Sequence, residues 1–276
     1  DSADKAFVTV INICTVKGNF SALKAIKQFS CPNKRLIVSG CITREIIPLI
    51  REINPNASLL STHNAKRIAE LVEEAVNGNV TELLFASAEI KLGTAKIRKN
   101  PVIGIVPISS GCNESCSYCS VKNIKGRLFS YPENDIIAEV QQCINDGCRE
   151  IWITSQDNAA YMQNGLPELL RKILKIEGKY YLRIGMMNPA NLLPMAEEMA
   201  EIFKNPKVFK FLHVPLQSAN DRVLKLMQRK YSLRDFQKLV SIFRQEIPRI
   251  SISTDVICGF PTESDSEFKE TLEYIK

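Results

Sequence analysis

Cys112, Cys116 and Cys119 lie in the run Ser110-Gly111-Cys112-Asn113-Glu114-Ser115-Cys116-Ser117-Tyr118-Cys119, a C-x3-C-x2-C spacing. Loops this short turn the sulfurs toward a common centre, so three thiolates here suit one metal cluster. Iron–sulfur clusters are normally held by four cysteines. Three leave one iron with an open position, which separates a catalytic metal centre from a closed structural one. A zinc knuckle or an ordinary ferredoxin loop draws on the same residue type. Zinc, however, needs a fourth ligand at short spacing, and the nearest candidates, Cys143 and Cys148, fall in or just after helical sequence. Cys14 and Cys41 form a second set, in Asn12-Ile13-Cys14-Thr15-Val16-Lys17 and Ser39-Gly40-Cys41-Ile42-Thr43. Each sits where a strand-like run ends. If the two runs are neighbouring parallel strands, the thiols meet at one edge of a sheet and can share a cluster. The alternative is packing, since buried cysteines behave as small hydrophobes.

Two α/β patterns must position these residues. Ala6 to Asn12 and Arg35 to Ser39 are apolar, β-branched runs of the kind buried parallel strands show. Ser21 to Phe29, Arg44 to Ile53 and Ala65 to Val76 have helical spacing, the last stopped by Asn77-Gly78. Residues 1–78 are thus expected to form a small parallel-sheet domain. Residues 79–101, with Lys91, Lys96, Arg98 and Lys99, are expected to be a charged linker ending at Pro101. From Val102 onward, strands are predicted at 102–109, 150–154, 180–185, 209–214 and 250–257, each followed by helical sequence. Repeated β-then-α units imply a parallel sheet with right-handed crossovers, so residues 102–276 are expected to form a partial TIM-like barrel. Catalytic groups in such barrels sit at the C-terminal ends of strands. The cysteine loop follows the first strand, at that end.

Bulk properties narrow the class. A chain of 276 residues with 45% hydrophobic composition can bury a substantial core. No apolar run approaches the roughly 18–20 residues needed to cross a bilayer, and no signal peptide is expected. A cytoplasmic protein with no membrane partner is expected. Nine cysteines, clustered rather than evenly paired, point to metal ligation in a reducing compartment. The net charge of +6 tilts toward an anionic partner without identifying one.

The cysteine loop, with Tyr118 just before its third cysteine, resembles the signature of the radical S-adenosylmethionine (SAM) superfamily. The resemblance implies a [4Fe–4S] cluster on Cys112, Cys116 and Cys119 whose free iron binds the amino and carboxylate groups of SAM and cleaves it reductively to a 5′-deoxyadenosyl radical. Asn-x-Cys-Thr-Val-Lys followed by Gly-Cys, ahead of such a loop, resembles the methylthiotransferase family. Its members hold a second [4Fe–4S] cluster on three N-terminal cysteines. Cys14 and Cys41 match the second and third of these, and the first is expected before Asp1. The resemblance also implies cofactor contacts: Tyr118 beside the cluster, and Ser155, Gln156 and Asp157 at the amino group of SAM. It implies Arg183 at the carboxylate, Gln217 and Ser218 at the ribose, and Ile257 and Gly259 against the adenine. Cys258 is expected in the core. Family members have a six-stranded partial barrel and a C-terminal RNA-binding module, so the chain is expected to be truncated at both ends.

Lys125-Gly126-Arg127, Ser130-Tyr131-Pro132 and Glu150 to Asp157 resemble the archaeal and eukaryotic branch of the family. That branch converts N6-threonylcarbamoyladenosine at position 37 of tRNA to its 2-methylthio derivative. The implied partners are a tRNA anticodon loop, whose unstacked bases suit protein recognition, an electron donor and a sulfur source. Lys122, Lys125 and Arg127 are the expected substrate contacts, with Arg229, Lys230 and Arg234 as further phosphate partners. Two alternatives stay open: a methylthiotransferase acting on another tRNA adenosine or on a ribosomal protein side chain, and a non-enzymatic iron–sulfur electron-transfer protein.

Overall fold

A computed structural model of the protein describes residues 6–15, 18–85 and 89–276. It divides into two compact units, residues 1–94 with 120–127, and residues 95–119 with 128–276. The first unit runs β1 (Val8–Cys14), α1 (Asn19–Phe29), β2 (Arg35–Cys41), α2 (Ile46–Ile53), β3 (Ser58–Ser61), α3 (Ile68–Val76) and β4 (Glu82–Leu83). The strands pair in parallel in the order β1-β2-β3-β4. β-branched residues on β1 and β2 suit a sheet covered by helices. Ala22 and Ile26 of α1, Ile46 and Ile50 of α2, and Val38 and Leu59 from the sheet share one fully or nearly fully buried core. Ile37, Leu60, Leu71 and Ala75 form a second core with α3.

One expectation changes here, and one strand is new. β3, too short to show a period, lies between β2 and β4 with all four of its residues buried. The segment expected as a charged linker supplies β4, pairing Leu59 with Glu82 and Leu60 with Leu83. Leu92 is buried as well. The division between the units therefore falls after Thr94 rather than after residue 78. The linker's charges are also engaged: Lys96 pairs with Glu139, and Arg98 with Asp146 at 2.7 Å. Val16 and Lys17 of the Cys14 segment lie outside the described residues.

The second unit carries β5 (Ile103–Pro107) and β6 (Ser109–Ser110). The chain then contributes α4 (Val121–Lys125) to the first unit and resumes the second with β7 (Phe129–Ser130), α5 (Glu133–Asn145), β8 (Glu150–Thr154), α6 (Leu166–Leu174) and β9 (Tyr181–Ile184). It ends with α7 (Pro189–Leu192), α8 (Ala196–Lys204), β10 (Phe211–His213), α9 (Asp221–Leu226), α10 (Leu233–Glu246), β11 (Ser251–Ser253) and α11 (Asp265–Ile275). β5, β8 and β9 pair in parallel, as do β10 and β11, and a parallel bridge from Leu182 to Val208 links the two sets. This is the predicted α/β partial barrel.

Alternation on the strands sets which residues face inward. Ile151, Ile153, Leu182, Ile184 and Leu212 are buried. Gly104 shows where that face packs: a Cβ there would lie 2.8 Å from Cys143 of α5 and 3.1 Å from Ile151. The intervening residues, Trp152, Arg183 and Phe211, are half-buried on the opposite face, where Arg183 stacks against both rings. Capping boxes, Ser232 with Asp235 and Ser264 with Glu267, start α10 and α11 and satisfy backbone donors that a helix N-terminus leaves open.

Candidate metal centres

The cysteine loop follows β5 and is closed by the antiparallel pairing of β6 with β7. Ser117 pins it to the end of α9, its N–H donating to Met227 O at 3.2 Å and its hydroxyl to Leu226 O at 3.0 Å. The Cys119 N–H donates to Cys116 O at 3.1 Å, and the Glu114 N–H to Cys112 Sγ at 3.4 Å. Cys112 and Cys116 are half-buried and Cys119 is exposed. Burial pushes the Cys112 thiol up. Among the described residues, no three His, Cys, Asp or Glu side chains close on a single metal ion. Three thiols carried on one loop suit an iron–sulfur cluster that keeps one iron open.

A cation stands beside these thiols, and it is not the one sequence patterns single out. Arg229 Nη1 donates to Cys116 Sγ at 3.1 Å, and Nη2 donates to Asn188 Oδ1 at 2.8 Å. Its guanidinium stacks 4.9 Å from the centroid of Tyr231. Burial works against its charge, yet Tyr231, Tyr118 and Cys116 around it hold its pKa above the usual arginine range. Burial likewise raises the Tyr118 phenol, which hydrogen-bonds Cys116. In sequence, Met227-Gln228-Arg229-Lys230-Tyr231 looks like a basic surface turn. Only the fold turns Arg229 inward, through Gln228 at φ +56°. Lys230, also expected at phosphate, pairs with Glu114 at 3.1 Å. Arg183 lies between two rings, 4.5 Å from the Trp152 centroid and 4.8 Å from that of Phe211.

The strand-end residues divide into those engaged within the fold and those left open. Asp157 is 4% exposed and accepts from Asn188 N at 2.9 Å, Ala159 N at 3.1 Å and Asn191 Nδ2 at 2.7 Å. Burial nonetheless pushes its carboxyl above the usual range. With Cys112, Glu114 and Asn191 it lines a cleft of about 190 Å³. Next to it, Ser155 Oγ and Gln156 Oε1 are buried without a hydrogen-bond partner, as is Ser109 Oγ after β5. Buried polar atoms are normally paired, so orphans at the C-terminal ends of two barrel strands fit a polar ligand. Gln217 is 9% exposed and adopts φ +68°, a conformation that costs a non-glycine residue on the order of 1 kcal/mol. Its backbone bridges in parallel to Val256, just after β11, its N–H donating to Asp255 O at 2.8 Å and its carbonyl accepting from Ile257 N at 3.0 Å. Ser218 is fully buried, with its hydroxyl 3.3 Å from Thr271 Oγ1 and accepting from Asn220 N at 3.2 Å. Ile257 is half-buried and Gly259 exposed. Cys258, expected in the core, is exposed because the chain has left β11 for a turn. Cys143 and Cys148 are buried.

The second cysteine pair is built by register. β1 and β2 align in parallel so that Cys14 lies directly opposite Cys41, and the two thiols hydrogen-bond. Gly40, at φ +112°, makes this approach possible: a Cβ there would sit 2.3 Å from both Asn12 Oδ1 and Ile13 O. Thr15 Oγ1 donates to Cys41 O at 2.8 Å. Lys125, expected at substrate, donates instead to Thr62 Oγ1 at 2.8 Å, and Lys91 donates to the same oxygen at 2.7 Å. Burial raises the Cys41 thiol, while the charges of Lys125 and Lys91 pull it down. Of the other expected substrate cations, Lys122 is half-buried on α4 and Arg127 is exposed.

Residues 106–275 match the family model of the radical SAM superfamily, and the chain belongs to that superfamily. The cofactors of that superfamily, a [4Fe–4S] cluster and SAM, suit the donor set described above. Over nearly its whole length the chain is similar to curated tRNA methylthiotransferases. It is 39% identical over 280 residues to the probable threonylcarbamoyladenosine tRNA methylthiotransferase of Methanothermobacter thermautotrophicus, covering 99% of this chain and 66% of that protein. It is 36% identical over 290 residues to the human threonylcarbamoyladenosine tRNA methylthiotransferase, covering all of this chain and 50% of that protein. The chain thus spans between half and two thirds of the length of these relatives. Among solved structures, the radical SAM methyltransferase TsrM of Kitasatospora setae superposes with a TM-score of 0.71 at 13% identity, covering 99% of this chain and 62% of that one. The radical SAM enzyme OxsB superposes at 0.64 and 13% identity, over 97% and 43%. These two show the shared fold.

Proposed function

We propose that the protein methylthiolates C2 of N6-threonylcarbamoyladenosine at position 37 of tRNA. The observation that carries this is the pairing of two cysteine sets: the loop triad at the mouth of a radical SAM barrel, and Cys14 opposite Cys41 at the strand ends of a separate sheet. The names of relatives at 36–39% identity supply the substrate. When bound, the barrel cluster and SAM supply a 5′-deoxyadenosyl radical, needed because the adenine C2–H bond is too weakly acidic and electrophilic for acid–base routes.

The chain's own residues bind, orient and shield. Cys112, Cys116 and Cys119 would hold the barrel cluster, and Cys14 and Cys41 two positions of the second. Arg229, fixed between Asn188 and Tyr231, offers its charge to the carboxylate of SAM, where a guanidinium binds best in a bidentate way. Ser155 and Gln156 offer their unpaired atoms to its amino group, Gln217 its amide to the ribose, and Ile257 and Gly259 an apolar edge to the adenine. Arg127 and Lys122 meet tRNA phosphate or the threonyl carboxylate. An electron donor, a sulfur source and a cytoplasmic setting belong to the same reading. Among the described residues, no helix is long and apolar enough to cross a membrane.

The test is anaerobic reconstitution, followed by incubation with tRNA having or lacking the threonylcarbamoyl group and mass spectrometry of the nucleosides. Methylthiolation of the threonylcarbamoyl tRNA alone is expected. Equal modification of both tRNAs refutes the substrate, and absence of 5′-deoxyadenosine refutes the radical chemistry.

A further inference from the structure

One guanidinium of the second unit has no anion. Arg183 is half-buried on the face of β9 turned away from α5, 4.5 Å from the Trp152 ring centroid and 4.8 Å from that of Phe211. Among the described residues no carboxylate pairs with it and no acceptor takes its N–H groups. The carboxylates of neighbouring strand segments are engaged elsewhere: Glu150 accepts from Trp152 Nε1 at 2.9 Å, and Asp255 pairs with His213 at 2.9 Å. A half-buried cation is costly to leave unpaired. Rings stacked on its faces leave its donors free in the guanidinium plane, the arrangement that binds a planar oxyanion in a bidentate way. The side chain also leans toward the chemistry. The bridge from Leu182 to Val208 sets Arg183 level with Phe209, yet its guanidinium lies against Phe211, two residues nearer the C-terminal ends of the strands. Such barrels do their chemistry at that end.

Resting on the reading of N6-threonylcarbamoyladenosine as substrate, we propose that Arg183 selects it by binding the carboxylate of its threonyl group. That carboxylate is the charge that separates this nucleoside from plain adenosine. Tethered through N6, it reaches beyond the base, whereas phosphates stay on the RNA backbone and are left to exposed cations such as Arg127. Trp152 and Phe211 hold the guanidinium flat, so little freedom is lost when the carboxylate arrives. The carboxylate of SAM goes to Arg229, which is fixed against Cys116. Two carboxylates in one reaction thus meet two different arginines.

Trp152 is the chain's only tryptophan, so its fluorescence reports directly on what reaches Arg183. The reconstituted chain is titrated with free N6-threonylcarbamoyladenosine, with its neutral methyl ester and with adenosine 5′-monophosphate, and equilibrium dialysis checks the constants without the reporter. The acid is expected to bind about tenfold to a hundredfold more tightly than the ester, the range a charge-assisted hydrogen bond spans. In Arg183→Met the two should bind alike. Arg183→Lys, which keeps the charge without the planar fork, should retain a smaller part of the preference. Equal binding of acid and ester by the wild type, a preference that survives in Arg183→Met, or a monophosphate bound as tightly as the acid overturns the proposal. Should Arg183→Met fail to fold by circular dichroism, Arg183→Lys decides, and an undiminished preference there overturns it too. An Arg183-dependent preference in an enzyme that methylthiolates tRNA lacking the threonylcarbamoyl group equally well would sink the substrate reading and leave the carboxylate site standing.

Discussion

The two cysteine sites are made in opposite ways. Cys112, Cys116 and Cys119 are carried on one loop, and their closeness is a property of the chain itself. Cys14 and Cys41 are far apart in sequence and meet only because β1 and β2 pair in a register that sets them opposite each other. A one-residue slip of that register would turn one thiol to the other face of the sheet. The loop site depends on its backbone being held at one point, Ser117 against α9, and on one cation, Arg229. The sheet site depends on a whole domain, and on Gly40 in particular. A chemical site encoded locally tolerates changes in the fold around it, whereas one encoded by register fails with its sheet.

The largest expected effect separates the two sites. Cys116→Ala should reduce 5′-deoxyadenosine formation to background in the reconstituted chain, while Cys14→Ala leaves it intact and lowers only iron content. Loss of SAM cleavage in Cys14→Ala would show that the sites are not independent.

Next comes the sheet. Gly40→Ala places a methyl group 2.3 Å from two oxygens at a positive φ, which should destabilise the first unit by roughly 3 kcal/mol. Hydrogen exchange is the measurement. Amides of β1 and β2 should lose protection while those of β5 and β8 keep theirs, and uniform loss would contradict the separation into two units.

Arg229→Met tests the loop site's dependence on one cation. Hydrogen bonds to charged groups are worth about 1.5–3 kcal/mol, so SAM affinity should fall by roughly tenfold to a hundredfold. Arg183→Met, which removes a stacked rather than a thiol-facing guanidinium, should change it less. Equal losses in equilibrium binding would return Arg183 to the SAM carboxylate.

The smallest effect lies at the far end of the barrel unit. Arg222, then Ser264 at the helix N-terminus, holds the Glu267 carboxyl down at about 2, from an ordinary 4.5. A depressed acid stabilises the fold fully above its unfolded pKa, and that contribution disappears as pH falls through the folded value. Acid unfolding between about pH 4.5 and 2 should therefore be shallower in Glu267→Gln, as read by circular dichroism. An unchanged slope would mean that the Glu267–Arg222 pair contributes nothing to stability.

By itself the sequence determined the α/β class, β1 and β2 of the first unit, the five main strands of the second, the cysteine triad and its likeness to the radical SAM signature. Apolar runs, helical periods and short cysteine spacings are local signals, and local signals survive without knowledge of the fold. The existence of β3 and β4 was hidden because two- and four-residue strands are too short to show a period. The return of Ser120 to Arg127 to the first unit was hidden because chain order does not report spatial neighbours. Tertiary structure alone decided which charges matter. It stacked Arg183 between Trp152 and Phe211, turned Arg229 onto Cys116, and brought Lys91 and Lys125 to one hydroxyl beside Cys41. Lysine and arginine look alike along a sequence whether they face water or a thiol. What distinguishes them is burial and the neighbours that burial brings, and these exist only once the chain has folded.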